Sequence, residues 1–571
     1  MQKERRHVTK KKQREITNKI IHCYISHNIA ASLPYFHKKG FQKGVFYMNH
    51  ITKRLFALVL LLSASRVEAV DVSGQSFYLG QSAVVVGNGV LEQFNHLDNK
   101  QSDEFAAHFS LQLNGGMNFK KSKMANYFFF NGTSSMRFGQ VSAAAANANA
   151  NTDVYSSFFL LPQAAVGAAE SWASTLTAAP KISNFTADIR FAADLNNIVE
   201  GLYFEANFPI VWTRWDLNLS ETAITTTGTT ILSPYISPAA APATTVAPYT
   251  SAKTAFQGTL TAGQVQARQF GNINGSQDKV ALGDAKVALG YNVLRREDGY
   301  LGLAVLGVFN SDSDSANDAK YLGSPVIGTA GRQCVGGRLE GSYRLYESDN
   351  NNLVFQGRAD VFHAFSSTIT RSYDATDKYG VGSRYMLMKE FTTAAAYNSV
   401  MKPLINLSTL KAKISIPVLY DVTLALRWTH KNWFADVAYE LEGHNAESFG
   451  SFVDSFTTTW YGAMAPSLAD GNTNPTFLST NENISGGIVT SKTTVPTVAL
   501  ASATNVLVQA NLDQSSGLAP SALTNRVIGD IGYNFENDWN PFLLVGGGAA
   551  FANNNAAPCQ WEVHASGGIT F

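Results

Sequence analysis

The sequence predicts an all-β chain whose strands close into an antiparallel barrel. Three observations carry that expectation. Short segments alternate apolar and polar residues with a period of two, the mark of a strand with two unlike faces. From residue 281 onward the connections between these segments are short and long in turn. An apolar leader with basic residues before it precedes them all.

Composition narrows the class first. The 571 residues carry a formal net charge of +1 and are 45% apolar and 11% aromatic. Charged residues are 15% of the chain, against about 25% in ordinary soluble domains. Mean hydropathy is −0.07. A long disordered chain would need low hydrophobicity and high charge, and is excluded. A helical membrane protein is excluded too, because the one long apolar run, Leu55–Leu62, is far short of the ~20 residues a spanning helix needs. Three cysteines cannot build a disulfide scaffold.

The N-terminus has its own logic. Residues 1–69 hold 14 Lys and Arg against Glu4, Glu15 and Glu68, which leaves 30 basic and 40 acidic residues in 70–571. Met48 opens an export signal: Lys53 and Arg54 form its positive region, Leu55–Leu62 its apolar region, and Val67-Glu68-Ala69 its small-residue cleavage site. Residues 48–69 are therefore read as a signal peptide cleaved before Val70. Residues 1–47 are read as a spurious upstream extension, with a disordered basic tail as the alternative. Arg5, Arg6, Lys10, Lys11, Lys12 and Arg14 could serve nucleic acid, but an exported chain has no use for that, and no nucleic-acid partner is expected.

About 14 strands follow: near 74–90 in an N-terminal lead-in of 70–104, then near 105–113, 126–138, 183–193, 200–212, 281–293, 300–310, 333–346, 352–365, 410–428, 433–442, 526–535, 542–551 and 561–571. The clearest is the last, with Trp561, Val563, Ala565, Gly567, Ile569 and Phe571 on one parity and Glu562, His564, Ser566, Gly568 and Thr570 on the other. Pro209 and Pro417 fall inside strands, and the pattern gives no account of them.

A soluble sandwich also alternates, so two further features decide for a barrel in a membrane. Short connections such as 294–299, 346–352, 429–432 and 536–541 hold Asp, Asn, Gly and Pro, whereas 139–182, 217–280, 311–332, 366–404 and 443–525 are long. Trp428 and Trp433 flank one short turn, Trp539 lies in another, and Tyr291 and Tyr300 flank a third, the interfacial placement of amphipathic rings.

Together with the signal, the closing strand 561–571 and its terminal Phe571 resemble the bacterial outer-membrane β-barrel (porin-like) class. The resemblance implies Gram-negative export and a closed antiparallel transmembrane β-barrel over 105–571, with 12 to 16 strands admissible. It further implies short periplasmic turns, long outer loops, and Phe571 as the signal read by the barrel-assembly machinery. Lipid and lipopolysaccharide would surround such a barrel, and a homo-oligomer is admissible.

Function then lies on the inner face. Parity assigns Arg190, Asp284, Lys286, Arg338, Glu340, Arg344, Arg358, Asp360, Arg427, Asp436, Glu440, Asp530 and Glu562 to the pore lining. The expected function is passive diffusion of small hydrophilic solutes through a charged pore. The alternative is a structural or adhesive surface barrel that works through its long outer loops. No enzyme motif, cofactor or metal is expected. His108 and His564 as a metal or proton pair, and His564 with Ser566 as a hydrolase pair, both rank below solvated lumen groups. Asp312, Asp314 and Asp318 lack the rest of a calcium loop, since Ala316 and Gly323 stand at ligand positions. A Cys334–Cys559 disulfide is disfavoured by the separation of their strands.

Overall fold

A computed structural model describes residues 70–79, 106–129, 131–139, 153–161, 172–226, 249–258, 266–312, 319–375, 381–393, 396–455, 460–463 and 509–570. The chain divides into two units, Met1–Val67 and Glu68–Phe571. The basic extension 1–47, the leader 48–69 and Phe571 lie outside the described residues.

Twelve strands form a closed ring: β1 (Ala107–Asn118), β2 (Lys181–Asp194), β3 (Leu202–Asp216), β4 (Asp284–Arg296), β5 (Gly299–Asn310), β6 (Cys334–Ser348), β7 (Asn351–Ser372), β8 (Thr409–His430), β9 (Trp433–His444), β10 (Ala522–Asn534), β11 (Phe542–Ala552) and β12 (Gln560–Thr570). Each strand pairs antiparallel with its sequence neighbours, and β1 closes on β12 from His108 opposite Thr570 to Asn118 opposite Gln560. Two shorter strands extend the sheet beyond the ring to 14: Ser276–Leu282 against the far half of β3, and Ser448–Phe452 against β8. Closure joins the first and last strands of the ring, so the ring itself ends in no free edge strand, the condition for β-structure in hydrocarbon.

The two faces are sorted as the alternation requires. Leu303, Leu339, Val437, Val527 and Val563 are about half exposed on the outside, while their sequence neighbours Arg338, Asp436, Arg526 and Glu562 are buried inside. No helix among the described residues is long and apolar enough to cross a membrane. The ring is thus a β-barrel of the membrane-spanning kind, apolar outside and polar within.

Both prolines sit where the ladder is already broken. Pro209 lies where β3 passes from pairing with β4, up to Asn207, to pairing with Ser276–Leu282, from Ile210 on. Its missing N–H therefore leaves no partner unmet on that side, and its carbonyl accepts from Gly283 N at 2.8 Å. Pro417 lies in a register shift of β8 against β7. The shift also switches the inward parity of β8, from Ala412, Ile414 and Ile416 to Asp421, Thr423 and Arg427.

Short turns at 195–201, 297–298, 349–350, 431–432 and 535–541 occupy one end, and the long connections occupy the other. The strand expected near 126–138 is not in the barrel. Residues Lys121–Phe128 form a helix, and Ser135–Gly139 joins a separate sheet with Val154–Tyr155, Trp172–Ala178 and Leu219–Thr226. The physical reason is visible in Tyr127-Phe128-Phe129. Three successive buried aromatics do not make one wet and one greasy face. They build a cap instead, where Tyr78 packs on Tyr127, Phe128 and Trp215. Val70–Leu79 contains no strand and is tied to this cap. Gly74 N donates to Phe129 O at 3.0 Å, and Val72 and Asn555 exchange hydrogen bonds of 2.9 and 2.6 Å. The remainder of 74–90 lies outside the described residues.

Candidate functional site: the charged barrel interior

The site is a layer of charged side chains that crosses the lumen. Register creates much of it. Arg338 stands opposite Asp360 and Glu340 opposite Arg358 across β6 and β7; Arg427 stands opposite Asp436 across β8 and β9. Arg338 donates to both carboxylate oxygens of Asp360, at 2.7 and 3.0 Å. Arg427 grips Asp436 the same way, at 2.8 and 2.8 Å. Such two-point guanidinium–carboxylate pairs are the strong kind.

Other contacts reach across the lumen rather than along the wall. Arg338 on β6 and Arg358 on β7 both donate to Glu205 on β3, the latter at 3.2 Å, while Arg358 also donates to Glu340 at 2.8 Å. Two arginines here face three carboxylates. In a second cluster Arg526 on β10 lies 3.0 Å from Glu440, 3.9 Å from Glu442 and 3.9 Å from Glu562. One arginine there faces three. Carboxyl groups outnumber arginines in both clusters.

Like charges also meet across the ladder, as Asp436 does with Asp530. Asp530 is relieved from the other side, where His564 donates from Nε2 to its Oδ1 at 2.6 Å. Gly546 of β11 lies between those two residues in the register. A β-carbon on it would come within 1.7 Å of Asp530 Oδ1 and 2.7 Å of His564 Nε2. Gly546→Ala is therefore expected to break this hydrogen bond and cost about 1–3 kcal/mol, as read from the urea midpoint of the barrel. Gly529→Ala, where the nearest atom would lie at 3.9 Å, should leave the midpoint unchanged.

The structure places the sequence-derived residues as follows. Arg190, Asp284, Arg338, Glu340, Arg358, Asp360, Arg427, Asp436, Glu440, Asp530 and Glu562 are all buried inside the ring. Arg190 pairs with Asp188 on its own strand at 2.7 Å. Asp284 accepts from Asn310, Thr329 N and Thr329 Oγ1 at 2.6, 3.0 and 2.8 Å. Lys286 is half-buried with its Nζ 5.3 Å from the centre of the Phe362 ring. Arg344 differs: it sits beside a register shift at the short-turn rim, 32% exposed, and pairs with Glu347.

Four members of the layer escaped the sequence reading: Glu205, Asp421, Glu442 and Arg526. Their parity was legible, since Glu205 shares it with Tyr203 and Asn207 against apolar Phe204, Ala206 and Phe208. The strand near 200–212 was expected but its faces were not assigned, and Arg526 stands at the edge of its alternating run.

Elsewhere, His108 Nδ1 is 3.0 Å from Thr570 Oγ1, and Ser566 Oγ donates to Leu111 O. No group of three His, Cys, Asp or Glu able to hold a metal occurs among the described residues. Cys334 and Cys559 are free and buried. Asp314 and Asp318 lie outside the described residues. In the cap, burial acts to raise the pKa of Glu447, but Arg332 and Arg371 beside it prevail and hold its carboxyl below the ordinary range.

No family model and no curated protein matches the chain. Solved structures similar to it include the "CymD monoaromatic hydrocarbon channel" (10% identity, 87% of this chain and 94% of that one, TM-score 0.25). Another is the translocator domain of autotransporter NalP from Neisseria meningitidis (9%, 85% and 95%, TM-score 0.25). A third is a Pseudomonas aeruginosa FadL homologue (7%, 88% and 98%, TM-score 0.26). At such TM-scores these likenesses carry no functional weight, and the barrel assignment rests on the strand pairing itself.

Proposed function

We propose that this chain is an outer-membrane channel that passes small hydrophilic solutes, with the charged layer as its filter. The observation that carries the reading is the polar interior: buried carboxylates in surplus over arginine, inside a wall whose outer face is apolar. A surplus of fixed negative charge attracts cations and repels anions. Export by a cleaved leader at 48–69, assembly through Phe571, and lipid and lipopolysaccharide as surroundings belong to the same proposal. No catalytic activity is part of it.

A second reading has its own support. Arg338 and Arg358 reach Glu205 across the lumen, as in a plugged barrel that displays its long loops at the cell surface.

Planar-bilayer recording on the purified protein separates the two. A filter gives stable steps with cation selectivity, and Arg358→Gln should raise both conductance and selectivity. Silence from both proteins, combined with loop-dependent binding to surfaces, would overturn the channel.

A further inference from the structure

Between the charged layer and the cap lies a cavity of about 60 Å³. At ~10–15 Å³ per water-sized group it has room for about four to six non-hydrogen atoms. Its walls combine two chemistries. Leu79, Val308, Phe362 and Leu419 are apolar, while Asp284, Asp421, Glu442, Lys286 and His444 also line it. Leu79 comes from the N-terminal segment tied to the cap; the others come from the barrel and its loops.

His444 states what a ligand would have to bring. It is 5% exposed, and its Nδ1 lies 2.9 Å from the carbonyl oxygen of Asn445. A carbonyl only accepts, so the proton is on Nδ1. Nε2 of the neutral ring is then an acceptor, and it has no hydrogen-bond partner among the described residues. A buried acceptor without a donor is costly. What the site lacks is therefore an N–H or an O–H.

The surrounding charges choose between those two. Three carboxyl groups line the cavity with one ammonium, Lys286, and Arg526 stands behind Glu442 at 3.9 Å, so acidic groups still outnumber basic ones. Asp284 is held by neutral donors, and among the described residues Asp421 receives only the Thr423 hydroxyl, at 3.4 Å. In a low-dielectric interior such a surplus favours a cation strongly. We propose that this cavity binds a small organic cation: a primary ammonium that donates to His444 Nε2, faces Asp421 and Glu442, and lays a short alkyl body against Leu79, Val308 and Phe362. The site stands whether or not the barrel conducts.

The test is titration calorimetry on the purified protein in detergent against an isosteric series: n-butylammonium, n-butanol and butyrate, each corrected for binding to empty micelles. Butylammonium should saturate at one per chain, and butanol and butyrate should bind at least tenfold more weakly. His444→Phe and Asp421→Asn should each weaken butylammonium at least tenfold. Leu79→Trp, which fills the cavity from a segment outside the barrel wall, should abolish binding. Heat-modified gel mobility reports that each variant has folded. No binding of butylammonium, equal binding of all three probes, or full binding by the folded Leu79→Trp protein would overturn the proposal. If His444→Phe does not fold, unchanged binding by Asp421→Asn overturns it by itself.

Discussion

Replacing Arg338 with methionine is expected to remove about 3–5 kcal/mol from the unfolding free energy of the barrel, the usual cost of taking one partner from a buried charge cluster. Arg338 holds both oxygens of Asp360 and one of Glu205, and its side chain is 4% exposed. Without it, Arg358 is the arginine that remains beside Glu205 and Glu340, and Asp360 loses its two-point partner. The loss comes less from missing attraction than from three carboxylates left in a confined space with one cation. It follows that neutralising the partners should restore stability. Arg338→Met combined with Glu205→Gln and Asp360→Asn should recover more than half of the loss, a non-additivity expected of residues in one network. Urea titration of the protein in lipid vesicles reads both numbers. A single-variant loss below about 1 kcal/mol would mean that water already screens the cluster. Charge reversal at Arg338 or Arg358 should likewise shift ion selectivity if the layer filters solutes.

The second large effect lies on the opposite face of the same wall. Val437 is 62% exposed on the outside, next to the buried Asp436. It sits near the middle of β9, with the short turn 431–432 and its flanking Trp428 and Trp433 at one end. Val437→Arg is expected to cost about 2–4 kcal/mol, the penalty for a cation on the lipid face at the bilayer midplane. Phe535→Arg, next to a short turn, should cost about 1 kcal/mol or less, because penalties fall toward the interface. The same vesicle unfolding assay ranks the two. Equal costs would show that this face does not contact hydrocarbon across its height.

Much of this was legible in the chain. Two-residue alternation is a local property, and each parity meets a single medium along a whole strand, so Leu339 outside and Arg338 inside follow from neighbouring positions alone. Short turns were legible because Asp, Asn, Gly and Pro adopt their backbone geometry at little cost. Length was the weaker guide. The apolar run around Tyr127–Phe129 looks like a strand locally, yet it packs as a helix within the cap, where it is covered on every side. Two of the strands in the sheet, Ser276–Leu282 and Ser448–Phe452, pair beside the ring without entering it.

What the sequence determined by itself is thus the existence of two faces, which residues belong to each, and that most turns at one end are short. The tertiary structure decided how many strands close the ring, and which inward charges meet. Glu205 and Arg338 are 133 positions apart and touch only because the wall curves back on itself. Closure joins β1 to β12, and contacts across a lumen depend on its circumference. Neither quantity is written in any local pattern, because both are set by how the whole sheet tilts and shears as it closes.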